Sequence, residues 1–373
     1  MQNLKLMIYI YTANFVCWYG RNEMAAVQHK SPKDQEMNAM KRPCFLAILL
    51  VVLFSCQPQA EYVSNEGFIY GTIYHVTYES PDGKDLQEGM EAVMNELSRS
   101  MSTFDSTSVI SKVNKNEATA LDEHFVTVFN RAQEISDITD GAFDITVAPM
   151  VNVWGFGFKN KEQVTADLID SLKNLVGYQK VRIENDQLVK EHPNTMLDAS
   201  AIAKGFACDL VASYLDHQGC ENYMVEIGGE VVAKGKNAKG NYWSIGISKP
   251  DDNEFFAEQK LKAIVELKER ALATSGNYRN FYVENGVKYA HTIDPKTGYP
   301  VQHSLLSTTV LADDCMTADA FATAFMVSGL EKSVAMVEAG HNIDVYFIYS
   351  DDEGNLKTYV SPGFKRLLKK EFE

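Results

Sequence analysis

The spacing of apolar positions changes along the chain, and each change marks a new element. Residues 68–78 (FIYGTIYHVTY) are dense in aromatic and β-branched side chains and predict a strand. ProAspGly at 81–83 then turns the chain into a helix expected to run to about Arg99. In MSTFDSTSVISKVN, Asp105 and Ser106 are placed to start a short helix or turn. Across residues 121–139, Phe125, Val128, Phe129, Ala132 and Ile135 recur at helical spacing, and Gly141 stands where a terminating glycine belongs. GAFDITVAPMVNVWGFG (141–157) breaks that period with glycine, proline and bulky aromatics. Such a stretch is either a functional loop or one that Trp154 and Phe156 pin to the core.

Residues 197–219 (LDASAIAKGFACDLVASYLDHQG) return to helical spacing through Ile202, Phe206, Leu210, Val211 and Leu215, with Ser200 as the expected N-cap and Gly219 as the stop. Lys204, beside Gly205, lies in the second turn. Free amides at a helix start attract anions, and Lys204 would add a point charge for a phosphate. Taken alone, a solvated surface lysine accounts for it better. NYMVEIGGEVVA, YWSIGIS and residues 263–267 predict strands, with Gly228 and Gly229 marking a bulge or a close backbone approach. Residues 271–294 predict a hairpin turning at Asn285 and Gly286 and delivering His291 at the end of its return strand.

After the AspProLysThrGly turn and an apolar strand, a helix carries Asp319 and Thr323 at positions i and i+4. Both therefore share one face, and a carboxylate with a hydroxyl suits a hard cation, Mg²⁺ or Ca²⁺, better than zinc. A solvated helix edge fits the same spacing, and spacing alone favours it. A second helix near 330–340, the strands IDVYFIYS and LKTYVS, and a basic tail FKRLLKKEFE, expected as a surface helix, complete the pattern.

The chain has 373 residues, 45% of them hydrophobic, enough for one large domain or two modest ones. A net charge of −15 without Lys/Arg clusters argues against a nucleic-acid partner. Six cysteines stand at irregular spacings with no CxxC pair, so no zinc site is indicated. Cys208 and Cys220 could pair, though buried free thiols are the default. MKRPCFLAILLVVLFSC (40–56) has the layout of a secretory signal, and its apolar run falls short of the roughly 20 residues that span a bilayer. Its end resembles a bacterial lipobox, with Cys56 as the lipidated residue. The expected organisation is an extension at 1–39 that is non-native or mis-assigned, a signal peptide at 40–55, the lipidated cysteine and a polar tether at 56–65, and one domain at 66–373. Met40 or Met37 is then the expected start.

FDSTSVISKVN, GAFDITVAPMVNVWGFG, LDASAIAKG, VEIGGE, ATSGNY, HTIDPKTGYP and TADAFATAF occur in the order seen in the FAD:protein FMN transferase (ApbE) family, across residues 67–329. The chain resembles that family, and the signal sequence fits it too. The resemblance implies an α+β fold, a single domain of two mixed sheet and helix halves around a flavin cleft. It implies Mg²⁺-dependent transfer of FMN from FAD to a threonine or serine of a target protein, with release of AMP. By motif, Asp319 and Thr323 resemble metal ligands, joined by the backbone carbonyl of Ala201, and His291 resembles the catalytic histidine. Asp198, Lys204 and Ile293 resemble FAD contacts; Tyr70, Phe104, Phe143, Asp144 and Ile145 resemble further positions along the cofactor. Ser200 departs from the glycine usual there.

The implied acceptors are subunits of membrane redox complexes, and the implied location is a lipid anchor on the periplasmic side of a bacterial envelope. A pyrophosphatase releasing FMN and AMP, and a non-catalytic FAD-binding lipoprotein, are the alternatives. Breaking a pyrophosphate needs a cation on its oxygens and an in-line nucleophile, and an unactivated hydroxyl needs a base such as His291.

Overall fold

The computed structural model describes residues 61–157, 164–250, 260–277, 281–284 and 287–372. The extension, the signal, Cys56 and the Asn285–Gly286 turn lie outside the described residues.

Strands β1 (Glu61–Ile69) and β2 (Thr72–Ser80) form an antiparallel hairpin. Helices α1 (Gln87–Met101), α2 (Val109–Asn114), α3 (Glu123–Ile138), α4 (Ala148–Val153) and α5 (Ala166–Lys173) follow. A small hairpin, β3 (Val181–Glu184) and β4 (Gln187–Lys190), leads to the long helix α6 (Ser200–His217). Next come β5 (Tyr223–Ile227), β6 (Glu230–Lys234), β7 (Trp243–Ser248), β8 (Leu261–Leu267) and β9 (Arg270–Gly276). A second small hairpin pairs β10 (Phe281–Glu284) with β11 (Val287–Ala290). The chain closes with β12 (Leu305–Ala312), α7 (Cys315–Ser328), α8 (Leu330–Glu338), β13 (Asp344–Ser350), β14 (Leu356–Val360), α9 (Pro362–Leu367) and β15 (Leu368–Glu371).

One eight-stranded sheet in the order β1-β2-β5-β6-β9-β12-β13-β14 organises these elements. Successive side chains of a strand point to opposite faces, and here both faces are covered. Val310, Ala312, Val345 and Phe347 face a large core with Met90 and Met94 of α1, Phe125 and Phe129 of α3, Phe206 of α6, and Phe321 and Phe325 of α7. Their neighbours Leu311, Tyr346 and Ile348 face a second core, against Trp243, Val265 and Leu267 of the small sheet β15-β8-β7. Burial on both sides explains why these strands read as nearly unbroken apolar runs. The result is the expected single α+β domain, helices on one face and a small sheet on the other.

Three local expectations differ from the structure. The basic tail is half strand: after α9, β15 pairs with β8 through Leu368 and Val265, a long-range partner that a local pattern does not show. At the start of α6, Ser200 is the first helical residue, Ala199 holds the cap position without a side-chain cap bond, and Asp198 Oδ1 instead accepts the Ser200 N–H at 2.8 Å. Asp105 does order the turn before α2, accepting from Thr107, but the cap itself is Ser108, which accepts the Ser111 N–H. All three cysteines among the described residues, Cys208, Cys220 and Cys315, are free and buried.

Candidate active site

Helix α7 (CMTADAFATAFMVS) is apolar nearly all round and lies inside the core, as such a helix must. Its first amides are satisfied by two carboxylates. Asp209 of α6 accepts from Cys315 and Met316 at 2.8 Å each, and Asp314 Oδ1 accepts from Thr317 at 2.7 Å. The polar residues Asp319 and Thr323 sit on this buried rod, and Asp319 is only 3% exposed. The solvated-edge account of Asp319 is therefore wrong.

Gly205 lets α6 and α7 touch. A Cβ there would fall 2.3 Å from the Cys315 carbonyl oxygen and 2.9 Å from Asp319 Cβ. Across this contact the Gly205 N–H donates to Asp319 Oδ2 at 3.0 Å. In a regular helix that N–H serves the carbonyl four residues back, which is Ala201. Sharing it with Asp319 leaves the Ala201 carbonyl with acceptor capacity to spare.

Lys204, the preceding residue, is not a solvated lysine either. Its Nζ lies 2.6 Å from Oε2 of Glu230, the first residue of β6 and 3% exposed. Burial pushes the Glu230 carboxyl up to about 7, with the Lys204 charge pulling the other way. Burial likewise raises Asp319, again opposed by Lys204 and by the Gly205 amide. Burial also works against the charge on Lys204, but the Asp319 and Glu230 carboxylates more than offset it and hold its pKa above the ordinary lysine value. Two buried carboxylates share one ammonium, an excess of negative charge that a divalent cation would relieve.

Thr323 Oγ1 lies 3.3 Å from Ser275 Oγ at the end of β9. Asp319, the Thr323 hydroxyl and the Ala201 carbonyl are all hard oxygen donors, which suits Mg²⁺. Among the described residues no group of three or more His, Cys, Asp or Glu converges, so a nitrogen- or sulfur-based transition-metal site is not formed by them.

His291 follows β11 directly and is half-buried. Its segment is tied down on several sides. Thr292 Oγ1 donates to Asn277 Oδ1 at 2.8 Å, Ile293 bridges Pro300, and Gly298 N–H donates to the Asp294 carbonyl at 2.8 Å. The aromatic loop after α4 also grips it: Trp154 Nε1 donates to the Gly298 carbonyl at 2.8 Å, and the Phe156 ring meets the His291 ring edge-on at 6.4 Å. Of the two readings of that loop, its aromatics show the pinning, and what it is pinned to carries His291. Ile293 is buried with Met150 and Trp154 in a third small core, so its side chain packs inward.

The remaining candidates lie on other features. Tyr70 occupies the β1–β2 turn with φ 53°, a rare value for a side-chain-bearing residue, and its hydroxyl donates to the Met94 carbonyl at 2.6 Å. Phe104, 82% exposed, stands on the lip of a cavity of about 570 Å³ also lined by Asn114, Pro149, Val153 and Met196. This volume is in the range of small-molecule sites. Lys204, Asp319, Thr323 and His291 do not line it. Hydrogen bonds tie the cavity side to the segment that enters α6. Asn114 exchanges hydrogen bonds with Leu197, and Asp198 N–H donates to the Ile145 carbonyl at 2.7 Å. Phe143, Asp144 and Ile145 point their side chains inward. The Asp144 carboxylate is spent on the Thr146 amide and hydroxyl and the Tyr178 amide, and burial raises its pKa.

Glu230 and Ser275 escaped the sequence analysis although both lie in quoted motifs, VEIGGE and ATSGNY. The available signal for Glu230 was a carboxylate set between a glycine pair and two valines in a strand, where a charge stays only with a partner.

The model of the ApbE family matches residues 70–347. A FAD:protein FMN transferase of Vibrio cholerae serotype O1 (strain ATCC 39541 / Classical Ogawa 395 / O395) is 40% identical over 330 residues, covering 86% of this chain and 97% of that protein. A protein of the same description from Escherichia coli (strain K12) is 32% identical, covering 81% and 88%. Among solved structures, a flavin transferase ApbE from Vibrio cholerae aligns with a TM-score of 0.75 at 39% identity, over 83% of this chain and all (100%) of that one. The apo form of a Pseudomonas stutzeri flavinyl transferase ApbE aligns with a TM-score of 0.73 at 33% identity, over 84% and 99%.

Proposed function

The chain belongs to the ApbE family and is an enzyme that moves FMN from FAD to a target protein; we propose that it does so with Mg²⁺, on a threonine or serine hydroxyl, through the cluster built on α6 and α7. The observation that carries this is the buried Asp319 carboxylate beside the Lys204–Glu230 pair, with Thr323 one helical turn on. Asp319, Thr323 and the Ala201 carbonyl would hold the cation, whose chemistry is neutralisation of charge on the pyrophosphate oxygens. Lys204 faces the same anion as a fixed charge. Phe104, Tyr70 and the backbone of 143–145 form the flavin side.

His291 acts as base, since an imidazole ordinarily titrates near neutrality. It takes the proton of the acceptor hydroxyl, and that oxygen attacks the phosphorus of the FMN half. The bond from this phosphorus to the bridging oxygen breaks, AMP leaves with the bridging oxygen and its electron pair, and His291 returns the proton to solvent. Joining of FMN through a phosphoester balances the loss of AMP.

The test is to incubate the protein with FAD, Mg²⁺ and an acceptor domain that presents a threonine, and to weigh the acceptor. Covalent FMN on the threonine is expected. Free FMN with an unmodified acceptor would instead assign hydrolysis, and intact FAD would assign storage. A His291→Ala variant should keep FAD binding while losing about 10² to 10⁴ in transfer rate.

We propose further that the mature protein is a lipoprotein anchored through Cys56 on the periplasmic side of the envelope, with subunits of membrane redox complexes as acceptors. The signal-like stretch at 40–56 supports this. A Cys56→Ala protein that still fractionates with membranes would remove the anchor.

A further inference from the structure

We infer that Glu230 is a positioning residue that holds the Lys204 ammonium away from Asp319, so that the Asp319 carboxylate stays open to a divalent cation. This rests on the assignment of Asp319 to the cation made above.

Lys204 and Asp319 stand on helices that touch at Gly205, the residue next to Lys204. Asp319 is buried and Lys204 is partly buried at the same contact; the two are of opposite charge, and away from bulk water such groups attract strongly. Left to themselves they would close into a neutral pair, with the ammonium occupying the space of the metal. The observed pairing is different. Lys204 is 2.6 Å from Glu230, and among the described residues it forms no ion pair with Asp319 within 4.0 Å. Asp319 is left with the Gly205 amide as its hydrogen-bond partner.

Glu230 reaches this point from a different layer of the fold. It opens β6 directly after Gly228 and Gly229, whose φ values of 64° and 105° favour glycine. The Gly228 amide is fixed to the Ile73 carbonyl at 3.1 Å and the Gly229 amide to Glu226 Oε1 at 2.7 Å, so the carboxylate is presented from a braced turn. A lysine meant only to attract phosphate gains nothing from a buried carboxylate at 2.6 Å, which offsets its charge. Separation from Asp319 is what Glu230 gives in return.

Mn²⁺ binding to the full chain without FAD, read by electron paramagnetic resonance, tests this. Wild type is expected to hold Mn²⁺, and Glu230→Gln to weaken it by about tenfold or more as Lys204 swings onto Asp319. Glu230→Gln combined with Lys204→Met should bring the affinity back to within about threefold of wild type, because the competing ammonium is gone. Glu230→Gln binding like wild type, the double variant remaining as weak as Glu230→Gln, or a wild-type chain holding no Mn²⁺ would each overturn the inference. A merely structural Glu230 gives the second result. Asp319→Asn separates the two levels: loss of Mn²⁺ there beside a silent Glu230→Gln keeps the metal assignment and removes the role of Glu230. Retention of Mn²⁺ in Asp319→Asn removes the assignment itself.

Discussion

Trp154 donates its indole N–H to the carbonyl of Gly298 across 144 positions of sequence, at 2.8 Å and out of contact with water. This bond, with the Trp154–Tyr299 and Phe156–His291 ring contacts, joins the loop after α4 to the turn that follows His291. The His291 segment is thus braced by a loop from a distant part of the chain. The precision asked of the proposed base depends on such support.

Trp154→Phe keeps a ring but leaves the Gly298 carbonyl without its donor. The variant should lose about 1–3 kcal/mol of stability. Its transfer rate should fall while FAD affinity holds, since the change lies beside His291 and not on the α6–α7 cluster. Urea unfolding, single-turnover rates and a fluorescence titration of FAD check the three parts. An unaltered rate would show that His291 is positioned without this loop.

Gly205→Ala tests the contact between α6 and α7. The added methyl would meet the Cys315 carbonyl, which as backbone of a buried helix has no room to move. Overpacking of this kind costs about 1–3 kcal/mol and sometimes more, although alanine is the better helix former. The expected outcome is a lowered unfolding midpoint together with lost FAD turnover, because the Asp319–Gly205 bond must stretch. A variant as stable and active as wild type would mean that the helices part at no cost.

Asp319→Asn separates stability from function. Burial raises the Asp319 pKa, so its ionised form is a strain on the fold near neutral pH. The amide oxygen still accepts from Gly205, and Lys204 keeps Glu230. Without divalent cation, the variant should gain about 1 kcal/mol over wild type at about pH 8. Adding Mg²⁺ should raise the wild-type melting temperature and leave the variant's in place, and transfer should fall by at least about 10². A variant that Mg²⁺ still stabilises would put the cation elsewhere.

The parts of the fold that depend on local periodicity were legible in sequence. The face of α3, the α6 span and the hairpin that delivers His291 follow from neighbours a few residues apart. Glu230 was not, since its partner Lys204 is in another element and only the fold joins them. The same holds for β15, which takes its strand form from β8 rather than from its own basic sequence. Asp319 was ambiguous for a related reason: spacing places it with Thr323 on one face of a helix but does not say that the face is buried. The order of motifs supplied what spacing lacked.

Asp209 gives the α7 helix its start and makes stability depend on pH. Its carboxyl accepts the Cys315 and Met316 amides, which would draw its pKa down, but burial is the larger effect and pushes it up to about 7. An ordinary carboxyl in the unfolded chain titrates near about 4. The folded state therefore binds this proton more tightly. The stabilisation from this group is complete below about pH 4 and disappears as pH rises through about 7. Asp209→Asn removes the titration and offers one acceptor in place of two, at a cost of about 1–3 kcal/mol. The gap between wild type and variant should then be widest at about pH 4 and below and shrink as pH rises through about 7. Glu230 and Asp319 titrate in both proteins, so the difference in melting temperature across that range, in cation-free buffer, isolates Asp209. A gap that widens with rising pH would reverse the sign: the α7 amides would then be holding Asp209 ionised, with its folded pKa depressed and its role that of a charged helix cap.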